Sequence, residues 1–349
     1  MRAFAVLMMV QGHTVDVFLS PQFRVAESPY YVIWNFMRGM TAPIFLFTAG
    51  NVFTYLFRLV DEPFKANPRV TKGVKRFLLL VFLGYLMRYP TETVISFKFV
   101  TPDQWKTFLA VDVLQLIGFG ILFLLIFIYL AEKLKLNLNL VLLFGSLIFI
   151  VLYPYFEGID WKSFLPVPIA GYFYNGTGSN FPLFPWAAYL LAGGILGNYL
   201  AKNPDVFKSS RFSFYLAAWG SSLILLGLIG NILETNILGQ SYFWTVSPNL
   251  VFVRTGIVLV LNSIVSLISL KLETIPRIII LTGRNTLLIY VMHLVILYGS
   301  AWSLGLSVLF AGSFNIWGSI GAVLLMFTLM VGMVQIIHKF KIRNKELVT

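Results

Sequence analysis

The first sixteen residues hold the groups best suited to chemistry, His13 and, one helical turn beyond it, Asp16. An imidazole with an ordinary pKa near 6.5 takes up a proton at neutral pH, which suits a general base. A carboxylate three residues on shares its helical face and can orient and charge-stabilise the ring. Arg2 stands eleven residues before His13. Eleven steps of helix span roughly 16 Å, about half of a hydrocarbon core roughly 30 Å thick. If that helix starts at one membrane face, Arg2 lies at the interface and His13 lies deep in the bilayer. Ionisable residues at such depth cost several kcal/mol and mark function by default.

The elements that must position these groups are membrane helices. The chain has 349 residues, 58% of them hydrophobic and only 11% charged, and apolar runs recur along its whole length. This is the composition of an all-α, polytopic integral membrane protein. The first run carries one basic residue ahead of it and ends in Gly-His-Thr-Val-Asp without a small-residue cleavage site, so it is not read as a signal peptide. No cysteine is present, which removes disulfides, thiol nucleophiles and thiolate metal sites.

About ten spans are expected, near 2–20, 31–57, 74–90, 107–131, 138–154, 183–200, 212–233, 248–270, 284–304 and 315–337. They read as a single transmembrane domain over 1–349 with no apparent internal repeat. With the amino terminus inside, 19 of the 26 basic residues fall on inner segments, so both termini are expected to be cytoplasmic, in a multi-pass protein of the cell (inner) membrane. The net charge of +12 then reads as topology and lipid contact rather than a nucleic-acid surface. The longest outer loop, about 155–182, is rich in aromatic residues and reads as an interfacial belt or as a lid over an outward-facing site.

This topology puts His13, Asp16, Arg38, Arg88, Asp112, Gln115, Arg254 and His293 in the outer half of the spans, with Asn285 also on the ninth. Charges of both signs at that depth need partners. A shared polar cavity lined by Gln115, Arg254, Asn285 and His293 is the simplest arrangement. Asp112 and Gln115, three apart, fall on one face and are expected to look toward His13. Structural readings compete. Arg38, Arg88 and Arg254 can snorkel to the interface, Asp112 can serve as a counter-ion for one of them, and His293 can be a core histidine bonded to a backbone carbonyl. His338, beside Lys339 in the basic tail, reads as solvated.

Arg2 and His13 form an R-x10-H pattern that resembles the signature of the membrane acyltransferase-3 group. The stretches Met9-Val10-Gln11-Gly12-His13 and Ala42-Pro43-Ile44-Phe45-Leu46-Phe47-Thr48-Ala49-Gly50 extend the likeness. Val111-Asp112-Val113-Leu114-Gln115, Phe181-Pro182-Leu183-Phe184-Pro185-Trp186 and Gly283 through His293 look like the bacterial relatives of heparan-α-glucosaminide N-acetyltransferase. One departure stands out. Such proteins usually carry several residues, often including an acid, before the arginine, whereas one precedes it here.

The resemblance implies acyl transfer across a membrane, with acyl-CoA, expected to be acetyl-CoA, as co-substrate and no permanently bound cofactor or metal. The acceptor would be a hydroxyl or amine of a carbohydrate or other cell-envelope molecule. His13 matches the catalytic histidine and Arg2 the arginine linked to the acyl donor. A thioester needs a base for the acceptor and positive potential for the oxyanion. Asp16 or Asp112 could orient the base, and Arg38 or Arg88 could bind the acyl carbonyl or its oxyanion. Arg2 suits the phosphates of CoA. Direct transfer and a transient acyl-histidine are both compatible. A transporter or flippase for a sugar, lipid or proton-coupled solute is the alternative; it should carry polar residues through both membrane halves, yet the inner half here is mostly dry.

Overall fold

Proline and short polar side chains set where the helices begin. The computed structural model describes residues 1–25 and 27–346; residues 26 and 347–349, and the side chains of Arg343 and Lys345 in the basic tail, lie outside the described residues. In chain order the helices are α1 (Arg2–Phe18), α2 (Pro29–Gly39), α3 (Thr41–Arg58), α4 (Pro68–Met87), α5 (Pro102–Leu109) and α6 (Val113–Lys133). They continue with α7 (Leu138–Val151), α8 (Tyr153–Gly158), α9 (Val167–Ala170), α10 (Leu183–Lys202) and α11 (Ser210–Leu238). The last are α12 (Pro248–Lys271), α13 (Arg277–Arg284), α14 (Thr286–Tyr298), α15 (Leu306–Phe310) and α16 (Ile316–Glu346). Proline opens α2, α4, α5 and α12, where its missing N–H costs nothing and its φ is already helical. Asn67 caps α4 by accepting from the Arg69 amide at 2.9 Å, and Thr101 with Gln104 forms a capping box on α5.

The all-α, polytopic architecture expected from composition is what the chain adopts. Among the described residues, seven helical stretches are long and apolar enough to cross a membrane, and up to eight if α13 and α14 form one bent span. Of the ten stretches expected, α1 and α4 fall outside this set, for two reasons. α1 has 17 residues, about 26 Å of helix against a core of roughly 30 Å. In α4, Lys72, Lys75 and Arg76 lie in the first half of the helix, so the uninterrupted apolar part is confined to 77–87.

The chain divides into two compact units, residues 1–41 with 272–349, and residues 42–271. In the second unit, small residues bring helices backbone to backbone, as in membrane bundles generally. A Cβ built at Gly193 of α10 would come 1.9 Å from the Phe47 carbonyl of α3, and one at Gly50 of α3 equally close to that of Leu190. Only glycine permits that crossing. In the first unit α1 packs against α13, α14 and α16. The far end of α1 is finished by chain that arrives from 312–314. Gly312 N donates to Val17 O, Phe314 N to Phe18 O, and Ser20 N to Phe314 O, each at 2.8 Å. The carbonyls that a helix end leaves open are thereby satisfied. Gly312 makes this approach at φ +63°, which a side chain would resist.

Candidate active site

The first unit gathers Arg2, His13 and Asp16 on α1, Arg38 on α2, His293 on α14 and Asn285 in the break before α14. α1 and α14 run side by side in the same direction. Arg2 Nη2 donates to Thr286 Oγ1 at 3.1 Å at their starts, and His13 meets His293 further along. The break between α13 and α14 makes this register possible. The two helices bend by 75° across Asn285, whose Nδ2 donates to Leu281 O at 2.8 Å. The buried Thr286 hydroxyl is thus presented to Arg2 at the start of α14.

His13 is half-buried and its Nδ1 lies 3.0 Å from His293 Nε2. The two ring planes are within 11° of each other and their centroids are 5.2 Å apart. That separation nearly equals the nitrogen–nitrogen distance plus two ring radii, the most the contact allows, so the rings lie edge to edge and close to one plane. His293 is fully buried, and its other nitrogen, Nδ1, bonds the Ile289 carbonyl one turn back at 2.7 Å. Tyr298, at the end of α14, stands nearly perpendicular to His13 with centroids 6.0 Å apart. Among the described residues, no hydrogen-bond partner occupies His13 Nε2.

Asp16 is engaged elsewhere. Its carboxylate pairs with Arg38 of α2, at side-chain exposures of 20% and 42%. Arg38 reaches it across Gly12, where a Cβ would stand 3.3 Å from Arg38 Cγ. The glycine before the histidine therefore serves as the bed for the arginine stem. Arg38 also lies 6.0 Å from the Trp34 ring centroid, within reach of a cation–π contact. Arg24 closes the helix end by donating from Nη2 to the carbonyls of Asp16 and Leu19, both at 2.7 Å.

A cavity of about 380 Å³ opens at this end of α1, away from Arg2, lined by Asp16, Val17, Arg24, Tyr298, Ser307 and Gly312. Small-molecule sites begin at roughly 300 Å³. Arg24, Tyr298 and Ser307 were not among the residues singled out from the sequence. Arg24 carried one usable signal, as one of the seven basic residues left on the outer side. Tyr298 and Ser307 carried none, because an aromatic or a serine at a span end is ordinary.

Residues 1–338 match the family model described as an acyltransferase domain. The chain belongs to the acyltransferase-3 family of membrane acyltransferases. No curated protein and no solved structure matches it.

The second unit of this acyltransferase holds Arg88, Asp112, Gln115 and Arg254. Asp112 is the N-cap of α6, accepting from the Val113 amide at 2.8 Å, while Gln115 Oε1 accepts from the Asp112 amide at 3.3 Å. Arg88 Nη2 reaches Asp112 Oδ2 at 2.6 Å. Gln115 is fully buried and its Nε2 has no acceptor among the described residues. Arg254 lies 5.9 Å from the Trp186 ring centroid, and its buried Nε is likewise without an acceptor. His338, expected in water beside Lys339, meets Arg277 with Nε2 and Nη2 2.7 Å apart.

Proposed function

We propose that this membrane acyltransferase moves an acyl group, acetyl in the first instance, from cytoplasmic acyl-CoA to a hydroxyl or amine of a carbohydrate or other cell-envelope acceptor, with His13 as the base. The observation that carries this reading is the placement of His13. Its Nε2 is free among the described residues, its ring is half-buried, and an open cavity that Asp16 lines, though His13 itself does not, lies one turn further along the same helix. His13 Nε2 takes the proton from the acceptor O–H or N–H as that atom attacks the thioester carbonyl. The C–O or C–N bond forms, the C–S bond breaks, and the departing CoA sulfur takes the proton from His13. Arg38 supplies positive potential beside the ring, held in place by Asp16. Arg2, at the opposite end of α1, binds the anionic part of CoA. An extended donor can reach from one residue to the other, which gives the ten-residue gap a physical reason.

On the expected ten-span topology, the inner excess of basic residues supports a cytoplasmic side for both termini. The test is release of free CoA from radiolabelled acetyl-CoA by the purified protein in lipid nanodiscs, joined to a comparison of envelope acetyl groups between a deletion strain and its parent. Acetyl transfer to an envelope glycan, lost on deletion, is the expected result. A protein that binds no acetyl-CoA and leaves envelope acetylation unchanged on deletion would remove the reading.

A further inference from the structure

We propose that His293 is a positioning residue that fixes the tautomer of His13, leaving the lone pair on Nε2 and the proton on Nδ1. The inference rests on the reading of His13 as the base, and goes beyond it by naming the nitrogen that reacts and the group that selects it.

The argument starts from an atom with no choice. The Ile289 carbonyl oxygen only accepts hydrogen bonds, so the His293 Nδ1 lying 2.7 Å from it carries a hydrogen. His293 is fully buried, and no carboxylate forms an ion pair with either ring among the described residues. A buried imidazolium without a counter-ion is costly, so His293 is neutral. A neutral ring with its proton on Nδ1 presents a lone pair at Nε2. The nitrogen facing that lone pair at 3.0 Å, His13 Nδ1, must then be the donor. The edge-to-edge, nearly coplanar rings put donor and lone pair in one plane, as such a bond requires. His13 is left with one basic nitrogen, Nε2, and that nitrogen has no protein partner among the described residues.

The Ile289 carbonyl thereby selects the base two rings away. His293 stands where a Ser-His-Asp triad keeps its carboxylate, but as a neutral acceptor. When His13 takes the acceptor's proton, its Nδ1–H bond to His293 becomes charge-assisted and strengthens. The carboxylate that spacing alone would assign to this task, Asp16, is committed to Arg38. Free histidine in water favours the proton on Nε2, so two neighbouring rings both protonated on Nδ1 form a distinctive signature.

The chain has three histidines, so nitrogen-15 histidine labelling gives three rings to resolve. Spectra of the full-length protein in nanodiscs at neutral pH, assigned with His293→Gln and His338→Gln, report protonation at each ring nitrogen. The expected spectrum has a lone-pair Nε2 and a protonated Nδ1 on both His13 and His293. A protonated Nε2 on His13, or an imidazolium at either ring, overturns the proposal without reference to activity. Two variants add a kinetic arm, read as CoA release from acetyl-CoA. Glutamine can still accept from His13 Nδ1, so His293→Gln should keep turnover within about tenfold of the parent. His293→Leu offers no acceptor and should lower turnover by about a hundredfold or more, the size of a lost general base, with KM for acetyl-CoA little changed. Equal losses in the two variants, or normal turnover in His293→Leu, reject the proposal. If His13→Ala retains turnover, the reading of His13 as base fails instead.

Discussion

His13 and His293 share a 3.0 Å contact between Nδ1 and Nε2, although 280 residues separate them in the chain. The contact joins two parallel helices whose starts are tied by Arg2 and Thr286. Register between α1 and α14 is therefore set at two points, one at Arg2 and Thr286 and one at the two histidines.

His13→Ala should lower acyl transfer by at least about a hundredfold, because general-base catalysis contributes 10²–10⁴-fold. Affinity for acyl-CoA should stay within about twofold, since the proposed donor contact is at the other end of α1. Turnover and CoA binding, measured on monodisperse protein, check both halves. A variant with near-normal turnover would shift the role of base to another group.

Arg2 has two possible contributions, and a pair of variants separates them. Thr286→Val removes the hydroxyl that Arg2 holds and should leave CoA affinity within about twofold. Arg2→Ala should weaken CoA binding by about ten- to a hundredfold, the range of a lost charge-assisted hydrogen bond of roughly 1.5–3 kcal/mol. Calorimetric titration with CoA distinguishes the two. Equal losses would make Arg2 a structural clamp.

Asp112 is a helix cap and an ion-pair partner before it is anything else. Asp112→Ala should destabilise the protein by about 0.5–2 kcal/mol through the lost cap alone. Asp112→Asn keeps the cap and loses only the charge opposite Arg88, so it should be the milder change. Thermal unfolding in lipid, together with turnover per folded molecule, tests this. Turnover falling far more than stability in Asp112→Asn would restore a catalytic part for the carboxylate.

The Arg38–Asp16 pair is partly exposed, and pairs of that kind contribute about 0.2–1 kcal/mol to stability. Arg38→Gln should therefore leave the unfolding transition nearly in place while reducing turnover about tenfold or more, through lost positive potential beside His13. Gly12→Val should mimic it, because the added side chain takes the space where the Arg38 stem lies. An unchanged rate in both variants would remove Arg38 from the site.

The sequence by itself determined the class of protein, the apolar runs and the polar residues worth following. Apolar runs of span length permit few structures besides helices in lipid, but hydropathy does not mark their ends: the spans expected from near 74 and 107 instead have helix starts at Pro68, capped by Asn67, and at Val113, capped by Asp112. The separation of Arg2 and His13 was legible because helical rise is fixed.

Only the tertiary structure decided which partner each polar residue takes. Spacing of three put Asp16 on the face of His13, yet the carboxylate is drawn to the full charge of Arg38, which α2 brings across Gly12. His13 is left to a ring from α14 that no local pattern connects to it. His293 was legible as either a core histidine on a backbone carbonyl or a member of the site, and its two nitrogens let it be both. Local spacing fixes which way a side chain faces; which of two competing partners it takes depends on how other helices pack against it, α2 for Asp16 and α14 for His13.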